Sequence, residues 1–291
     1  MMFTDIEEAL GKDAVTTAAG RPAAALADEA AARALTALCR ERGWRLRPWS
    51  GGEPPTGDLP PDAVLVSPGV GLTGEFAVAA DDYYCEVPAT MTAGELAARL
   101  AETPLWLPFA TAGGAAAAAG VLVACYPPNA FAPAYGELQR LLFGVSFVND
   151  DGDLVATGRR TIKGVAGYDL SKLFLGSRGR AGLITRVRLR LFPRPRDAVF
   201  WRAPGAPADA SRGGKAVCSR EAGGETFYYA DGHTADLDAL AEALRGLRPG
   251  LVQISRGFEA AADFGVAVGR MPCPKTGEEG PAGPRLSDLY V

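Results

Sequence analysis

The spacing of apolar and polar residues along the chain predicts short strands and helices in mixed order. In residues 183–192 apolar side chains alternate with Thr and Arg, which is the pattern of a strand with one buried face. Leucines and alanines follow helical spacing in residues 22–42, and Gly43 stands where such a helix would stop. Further strands are predicted at 44–49, 63–66, 76–79, 83–87, 142–148 and 154–157. Two more helices are predicted at 93–101, capped by Thr92, and at 169–175, capped by Asp169.

Proline and glycine divide the chain into parts. Pro193-Arg194-Pro195 ends the strand pattern, and residues 203–225 are predicted to be a linker or long loop. After it, a β-α-β unit is predicted from a strand, a helix and a strand at 226–230, 235–246 and 251–255. The predicted domains are residues 1–200, a small β-α-β domain at 201–271 and an extended tail at 272–291. Because strands and helices do not alternate regularly, we expect an α+β fold rather than a doubly wound sheet.

Composition and charge argue against several functions. With 30 basic and 34 acidic residues the formal net charge is −4, so no basic surface for nucleic acid is expected. An apolar fraction of 48% is enough for a buried core, which excludes a disordered chain. The five cysteines form no Cys-x-x-Cys pair, so we expect no metal cluster. A single histidine, His233, disfavours hydrolase chemistry of the Ser-His-Asp kind.

The sequence pattern predicts a cytoplasmic location. The first residues are acidic where a signal peptide would be basic and then apolar. The most apolar run, residues 115–125, is shorter than the roughly 20 helical residues that cross a bilayer. We therefore expect any membrane association to come through partner subunits.

Three glycine-bearing segments are candidates for binding phosphate. They are Ser50-Gly51-Gly52, Thr111-Ala112-Gly113-Gly114 and residues 176–185. A pyrophosphate needs several main-chain N–H donors at close range, which glycine-rich backbone allows. The spacing Gly176-x-x-Gly179-x-x-Gly182 follows a helix and precedes a strand, which is the reverse of the order in a dinucleotide fingerprint.

Several strings of the sequence carry a resemblance to one family. They are residues 83–92, the Thr111–Gly114 run, Tyr135-Gly136, the string Lys163-Gly164-Val165-Ala166-Gly167-Tyr168-Asp169-Leu170-Ser171-Lys172-Leu173, and the Gly-rich residues 175–185 that follow it. With these strings, residues 60–200 resemble the FAD-linked oxidases of the vanillyl-alcohol oxidase type, also called PCMH-type flavoproteins. The FAD-binding subunits of glycolate oxidases are the most similar members.

The resemblance implies a two-subdomain PCMH-type FAD-binding domain followed by a small, shortened α/β cap domain. It implies non-covalent FAD, since no histidine stands in the phosphate loops, and no metal. The cofactor-binding residues that it implies are Ser50, Gly51 and Gly52 in a first pyrophosphate loop, Ala112, Gly113 and Gly114 in a second, Gly136, and Gly179, Gly182 and Ile184 on an adenine-proximal wall. No catalytic residue is assigned.

The function implied is that of an FAD-dependent oxidoreductase subunit that takes electrons from glycolate or D-lactate. A second flavoprotein subunit and an iron–sulfur subunit are the implied partners. The alternative is a non-catalytic structural subunit with a degenerate or empty FAD site. It is suggested by Pro48, Pro54 and Pro55 around the first loop and by Arg180-Ala181 where the family has Thr-Leu. A stand-alone FAD oxidoreductase for another alcohol is a third possibility.

Other candidate residues have simpler expected roles. His233 is expected at the surface or in a helix cap, and Cys85 and Cys125 are expected in the core. Asp169 is expected to cap a helix, and Lys163 to be a surface or flavin-side cation. Alternation places Arg186, Arg188 and Arg190 on the solvated face of a strand.

Overall fold

The first sheet has four strands and is covered by two helices. The computed structural model describes residues 2–18, 20–48, 60–111, 114–158, 169–205, 218–222, 224–257, 259–261 and 264–265. The strands are β1 (Val15–Ala18), β2 (Arg21–Leu26), β3 (Arg45–Pro48) and β4 (Ala63–Pro68), in the order β1-β2-β4-β3. β2 and β3 run parallel to β4, and β1 is antiparallel to β2. The helices are α1 (Met2–Leu10) and α2 (Glu29–Arg42).

The prediction of a helix at 22–42 is wrong for residues 22–28 and correct for residues 29–42. Residues 21–26 form β2, where Ala23 and Ala24 are buried between parallel and antiparallel neighbours. Helix propensity of alanine is a weak preference, and burial in a sheet overrides it here. α2 begins after Asp28, whose carboxylate accepts the Ala31 N–H at 2.9 Å, and it ends at Gly43 with φ 70°, as predicted.

The second sheet has five antiparallel strands. They are β5 (Ala77–Ala79), β6 (Tyr84–Pro88), β8 (Leu142–Val148), β9 (Leu154–Gly158) and β10 (Leu183–Arg190), in the order β5-β6-β10-β8-β9. Between β6 and β8 lie β7 (Leu105–Trp106) and four helices, α4 (Ala93–Leu100), α5 (Ala119–Cys125), α6 (Ala132–Tyr135) and α7 (Leu138–Leu141). β7 pairs with β11 (Phe192–Pro193), and α3 (Val70–Thr73) follows β4.

One face of the second sheet holds the main core. Leu96 and Leu122, from α4 and α5, pack there against Val145 and Val187 of the strands. The helix at 93–101 is confirmed with its capping box, in which the Glu95 N–H donates to the Thr92 hydroxyl at 3.2 Å. The described residues also include three short 3₁₀ helices, at Lys12–Ala14, Gly114–Ala116 and Leu170–Phe174. Asp169 precedes the last of these, but its carboxylate bonds the Ser171 hydroxyl instead of a main-chain N–H, so the predicted side-chain cap is wrong.

The last sheet also has four antiparallel strands. They are β12 (Asp197–Pro204), β13 (Cys218–Ala222), β14 (Glu225–Gly232) and β15 (Val252–Arg256), in the order β13-β14-β12-β15. Helix α8 (Thr234–Leu247) joins β14 to β15, so the predicted β-α-β unit is present with β12 between its strands. β13 lies in the predicted linker 203–225, and β12 crosses residue 200, near which the domain boundary is predicted. The mixture of helices and mostly antiparallel sheets confirms the α+β class.

The second face of β10 is not solvated, which corrects the expectation for two of its arginines. Arg186 and Arg188 both bind Glu86 of β6, at 2.6 Å and 2.5 Å. Only 11% of the Arg188 side chain and 17% of the Glu86 side chain are exposed. Arg186 also donates to the Thr73 carbonyl oxygen at 2.8 Å, because α3 covers this end of the strand. Alternation alone does not show that a second layer covers this face.

We expect Glu86→Gln to lower the free energy of unfolding by about 2 kcal/mol, since two poorly solvated guanidinium groups lose their counter-charge. Glu29→Gln is the matched control, because the Glu29–Arg33 pair is exposed and should contribute less than about 1 kcal/mol. Urea unfolding of both variants measures the difference. Equal, small losses would show that the Glu86 cluster is not a buried ion-pair network.

Candidate functional site

A cavity of about 420 Å³ opens between the first and second sheets. One wall comes from Cys39 and Arg40 of α2 and from residues 44–47 at β3. The opposite wall comes from residues 148–150, after β8, and from residues 179–183, before and in β10. The volume lies within the ~300–1,000 Å³ typical of small-molecule sites.

The cavity combines apolar walls with cationic side chains. Its apolar residues are Leu26, Trp44, Leu46, Val66, Val148 and Leu183, and its arginines are Arg40, Arg45, Arg47 and Arg180. Arg40 binds Asp151 and Arg45 binds Asp62. Within the described residues, Arg47 and Arg180 have no ion-pair partner. This donor set suits a ligand with a flat apolar group and an anionic group.

Two predicted cofactor residues, Gly179 and Gly182, line this cavity. Both have left-handed backbone, with φ 75° and φ 127°. A Cβ at Gly182 would lie 2.8 Å from the Val148 carbonyl oxygen and 2.9 Å from the Phe147 ring. Only glycine lets β10 begin this close to β8. Ile184 is placed differently, since its side chain is 1% exposed and packs in the core of the second sheet.

Thr185 carries a buried hydroxyl without a hydrogen-bond partner. The residue is completely buried, and its Oγ1 is unsatisfied. It lies between Ile184 and Arg186, where the pairing of β10 with β8 shifts register. Its carbonyl oxygen accepts the Ala89 N–H at 3.0 Å. Buried hydroxyls are nearly always bonded in folded proteins, so Thr185 is an exception within the described part of the chain.

Asn129 joins the two remaining described site elements. Its side-chain N–H groups donate to the carbonyl oxygens of Pro108 and Gly136, both at 2.9 Å. Its Oδ1 accepts the N–H groups of Ala110 and Phe131, both at 3.1 Å. One amide therefore links Ala110, the residue before Thr111, to Gly136.

The structure brings together only some of the predicted site residues. Gly179 and Gly182 share the cavity, the Gly136 carbonyl oxygen binds Asn129, and Gly114 begins a 3₁₀ helix. Ser50, Gly51, Gly52, Ala112 and Gly113 lie outside the described residues, as does Lys163. β3 ends at Pro48, two residues before Ser50, and it lines the cavity.

The junction between the last sheet and the rest of the chain is filled by aromatic rings. The Phe131 ring packs edge-on against Trp106 at 5.4 Å and against Tyr229 at 5.0 Å between centroids. The hydroxyls of Tyr135 and Tyr229 both donate to Asp231 Oδ2, at 2.6 Å and 2.7 Å. The Tyr135 bond ties the segment of Gly136 to the last sheet.

The three described thiols, of Cys39, Cys85 and Cys125, and the histidine have structural or surface positions. Burial raises the pKa of Cys39 and of Cys85 to about 12, and that of Cys125 to about 11. These cysteines therefore stay protonated near neutral pH and act as small core residues. His233 is exposed at the start of α8, where its carbonyl oxygen accepts the Leu237 N–H, so the expected surface role is confirmed.

Neither a metal site nor a membrane-spanning helix is found in the described part of the chain. No group of three or more His, Cys, Asp or Glu residues there could hold a metal ion. No helix in the same part is long and apolar enough to cross a bilayer.

Sequence reasoning missed three features of the site. Asn129 stands after Tyr126-Pro127-Pro128, a context that indicates only a turn. Thr185 belongs to an ordinary strand pattern, and its orphaned hydroxyl becomes visible only with the bulge. The alternation in 44–49 predicts β3, but it gives no sign that Arg47 and Arg180 line the same cavity.

Comparison with known proteins gives matches to part of the chain. Residues 22–158, slightly less than half of the chain, match the family model described as FAD binding domain. The chain is 41% identical over 61 residues to glycolate oxidase subunit GlcD of Bacillus subtilis, covering 21% of this chain and 13% of that protein. It is 34% identical over 83 residues to subunit GlcE of Escherichia coli, covering 28% and 24%. It is 34% identical over 122 residues to a probable mitochondrial D-lactate dehydrogenase of Danio rerio, covering 41% and 24%. The matches thus span a quarter or less of these relatives.

Solved structures share the fold of nearly the whole chain. A 4-ethylphenol oxidase from Gulosibacter chungangensis matches with a TM-score of 0.65 at 14% identity, covering 92% of this chain and 69% of that one. A substrate-bound p-cresol methylhydroxylase matches with a TM-score of 0.64 at 15% identity, covering 99% and 70%. The expected PCMH-type fold is confirmed, and FAD is the cofactor of this kind of domain.

We expect Gly182→Ala to lower the free energy of unfolding by more than about 2 kcal/mol, since it adds a clash to a left-handed backbone. Gly43→Ala is the control, because Gly43 has φ 70° with nothing within 4 Å of the added methyl group. That variant should lose only about 1 kcal/mol. Chemical denaturation of both variants tests the assignment. Equal losses would mean that Gly182 serves only as a turn residue.

Proposed function

We propose that the chain is the FAD-binding subunit of a complex that oxidises glycolate or D-lactate. The match of residues 22–158 to the model of an FAD binding domain supports this proposal. The names of the relatives, two glycolate oxidase subunits and several D-lactate dehydrogenases, support a 2-hydroxy acid as substrate. FAD, when bound, supplies the two-electron acceptor for this oxidation. Electrons then leave through partner subunits.

The cavity between the sheets is the observation that carries the proposal. Its apolar walls suit an adenine ring, and its arginines suit the two charges of a pyrophosphate. Gly179 and Gly182 bring backbone close to the ligand on one wall. On the other wall β3 leads toward Ser50, Gly51 and Gly52. We assign the adenosine diphosphate half of FAD to this cavity.

The position of Arg180 supports binding of an anionic ligand, although Arg180 departs from the family pattern. The family has Thr-Leu after the glycine that corresponds to Gly179, and the change raised the possibility of a lost pocket. Arg180 lines the cavity together with Arg47. Neither guanidinium group has an ion-pair partner within the described chain, so an anionic ligand in this cavity would be attracted by two cations.

A non-catalytic structural subunit is the second candidate function. The aromatic cluster at the last sheet, with Trp106, Phe131 and Phe264, fills the junction where a substrate domain would meet the FAD-binding domain. His233, the one histidine, is exposed at α8. The aromatic rings carry no proton acceptor, and His233 is not among the residues of this cluster. In this reading the chain supports a catalytic flavoprotein subunit.

The partners follow from the same proposal. Two of the relatives are named as subunits, which supports an assembly with a second flavoprotein chain. We propose that an iron–sulfur subunit receives the electrons. The five cysteines contain no Cys-x-x-Cys pair, so such a cluster would be held by another chain.

Anaerobic reduction of the FAD-loaded protein separates the two functions. We expect glycolate or D-lactate to bleach the visible flavin absorbance of the complex, and we expect no bleaching by an acid without a 2-hydroxyl group. The measurement is made on the chain alone and on the chain with its co-purified subunits. If the complex is bleached by substrate to the same extent when this chain carries no FAD, the structural-subunit function is favoured.

We expect Arg47→Ala and Arg180→Ala each to raise the Kd for FAD about 3- to 10-fold, since each removes one cation from the rim of the cavity. The effect should shrink at high salt, because exposed charges are screened. Arg196→Ala is the control, as Arg196 is exposed and does not line the cavity. Fluorescence titration measures all three. Equal Kd values for all three variants would contradict the assignment of the FAD pyrophosphate to this cavity.

A further inference from the structure

We propose that β15 and the adjoining flank of α8 form a contact between two copies of this chain, related by a two-fold axis. β15 is an outer strand of the last sheet. The surface, called here the β15 surface, consists of Val252 and Ile254 on the strand and of Glu242 and Arg245 on the helix. It lies entirely within the described range 224–257. None of its residues lines the cavity assigned to FAD, so the contact does not depend on the proposed function.

The strand exposes two apolar side chains at the edge of the sheet. Val252 is 48% exposed and Ile254 is 44% exposed. An outer strand with exposed apolar residues is a place where a second chain can associate. The pairing of β15 with β12 shifts register at Ile254, and such a bulge hinders a regular ladder with a further strand. The contact is therefore one of side chains.

An ion pair shows which flank of α8 lies beside β15. Arg256, the last residue of the strand, binds Asp238 of the helix at 2.7 Å. The residues four and seven positions after Asp238 share its side of the helix, and these are Glu242 and Arg245. Both are exposed, and neither has an ion-pair partner within the described residues. The flank next to β15 therefore carries one available anion and one available cation.

These two charges are self-complementary. A two-fold axis that passes between Glu242 and Arg245 generates an antiparallel helix in the second copy. Glu242 then lies opposite the partner's Arg245, and Arg245 lies opposite the partner's Glu242. The same attraction of opposite charges thus occurs twice in the dimer. This symmetric order of charges favours a second copy of the chain over a partner of different sequence.

The charged and apolar parts of the surface fit the same axis. α8 and β15 run antiparallel and are tied at one end by the Asp238–Arg256 ion pair. Measured from that ion pair, the midpoint of the two helix charges lies about 8 Å along α8, at ~1.5 Å per residue. The midpoint of Gln253-Ile254 lies about 8 Å along β15, at ~3.3 Å per residue. One axis can pass both midpoints, so the charged and apolar contacts form together.

Sedimentation equilibrium of the full chain tests the contact by exchanging charges. We expect the original protein to dimerise with a Kd on the order of 10 µM, because the surface is small. Glu242→Arg and Arg245→Glu should each raise this Kd at least about tenfold, since like charges then face each other. An equimolar mixture of the two variants should dimerise within about threefold of the original Kd, because the mixed dimer has opposite charges at both contacts.

Arg99→Glu is the matched control for these variants. Arg99 is an exposed arginine in the last turn of α4, as Arg245 is in the last turn of α8. Its substitution should leave the Kd within about twofold of the original.

Ile254→Lys tests the apolar part of the surface. A charge on the outer strand should raise the dimer Kd at least about tenfold, since it must lose water at the contact. Leu154→Lys is the control, because Leu154 is 39% exposed on β9, an outer strand of the second sheet. That variant should dimerise within about twofold of the original Kd. Urea unfolding checks that every variant is folded.

An original protein that stays monomeric at about 100 µM would overturn the proposal. Variants of the β15 surface that dimerise with the original Kd would overturn it as well, as would a mixture that dimerises no better than either variant alone. If the chain is monomeric alone and Ile254→Lys loses a co-purified subunit, that subunit occupies the surface and a second copy is ruled out.

Discussion

The contact between the first and second sheets is the constraint on which the site depends. Val148 of β8 and Leu183 of β10 pack into the core of the first sheet, against Leu26, Leu35 and Val66. This shared core places the glycines before β10 opposite β3, and the cavity lies beside it. The ion pairs at the edge of the contact, Arg40–Asp151 and Arg33–Asp153, are largely exposed and contribute little. Apolar packing therefore sets the width of the cavity.

Backbone geometry is the second requirement of the site. The cavity wall and the Gly136 segment both use left-handed glycines at places where a methyl group would collide with a neighbour. Such positions bring main-chain N–H groups close to a ligand, at the cost of chain entropy on folding. At the Gly136 segment the buried Asn129 amide donates an N–H to the Gly136 carbonyl oxygen, which holds that segment in place. The described site elements therefore consist mainly of backbone, and buried side chains hold that backbone by hydrogen bonds and packing.

Much of this fold could be predicted from local sequence, and the exceptions have physical causes. Both ends of β8, Leu142–Val148, are predicted to the residue, because a short, bounded apolar run is typical of a buried strand. β2 was predicted as helix, since alanines have helical propensity but no side-chain pattern that marks a parallel strand. The face of β10 with Arg186 and Arg188 was predicted to be solvated, because the position of Glu86 depends on strand order. Asn129 acts across 19 to 21 residues of sequence, which no local spacing encodes.

Binding of FAD, FMN and ADP to the chain purified alone tests the central claim most directly. If the cavity holds the adenosine diphosphate half, FAD binds at about one per chain, ADP competes with it, and FMN, which lacks the adenosine monophosphate half, binds far more weakly. Calorimetric titration, with FAD retention after gel filtration, measures all three. Binding of FMN as tight as that of FAD, or FAD binding that ADP does not displace, would contradict the account.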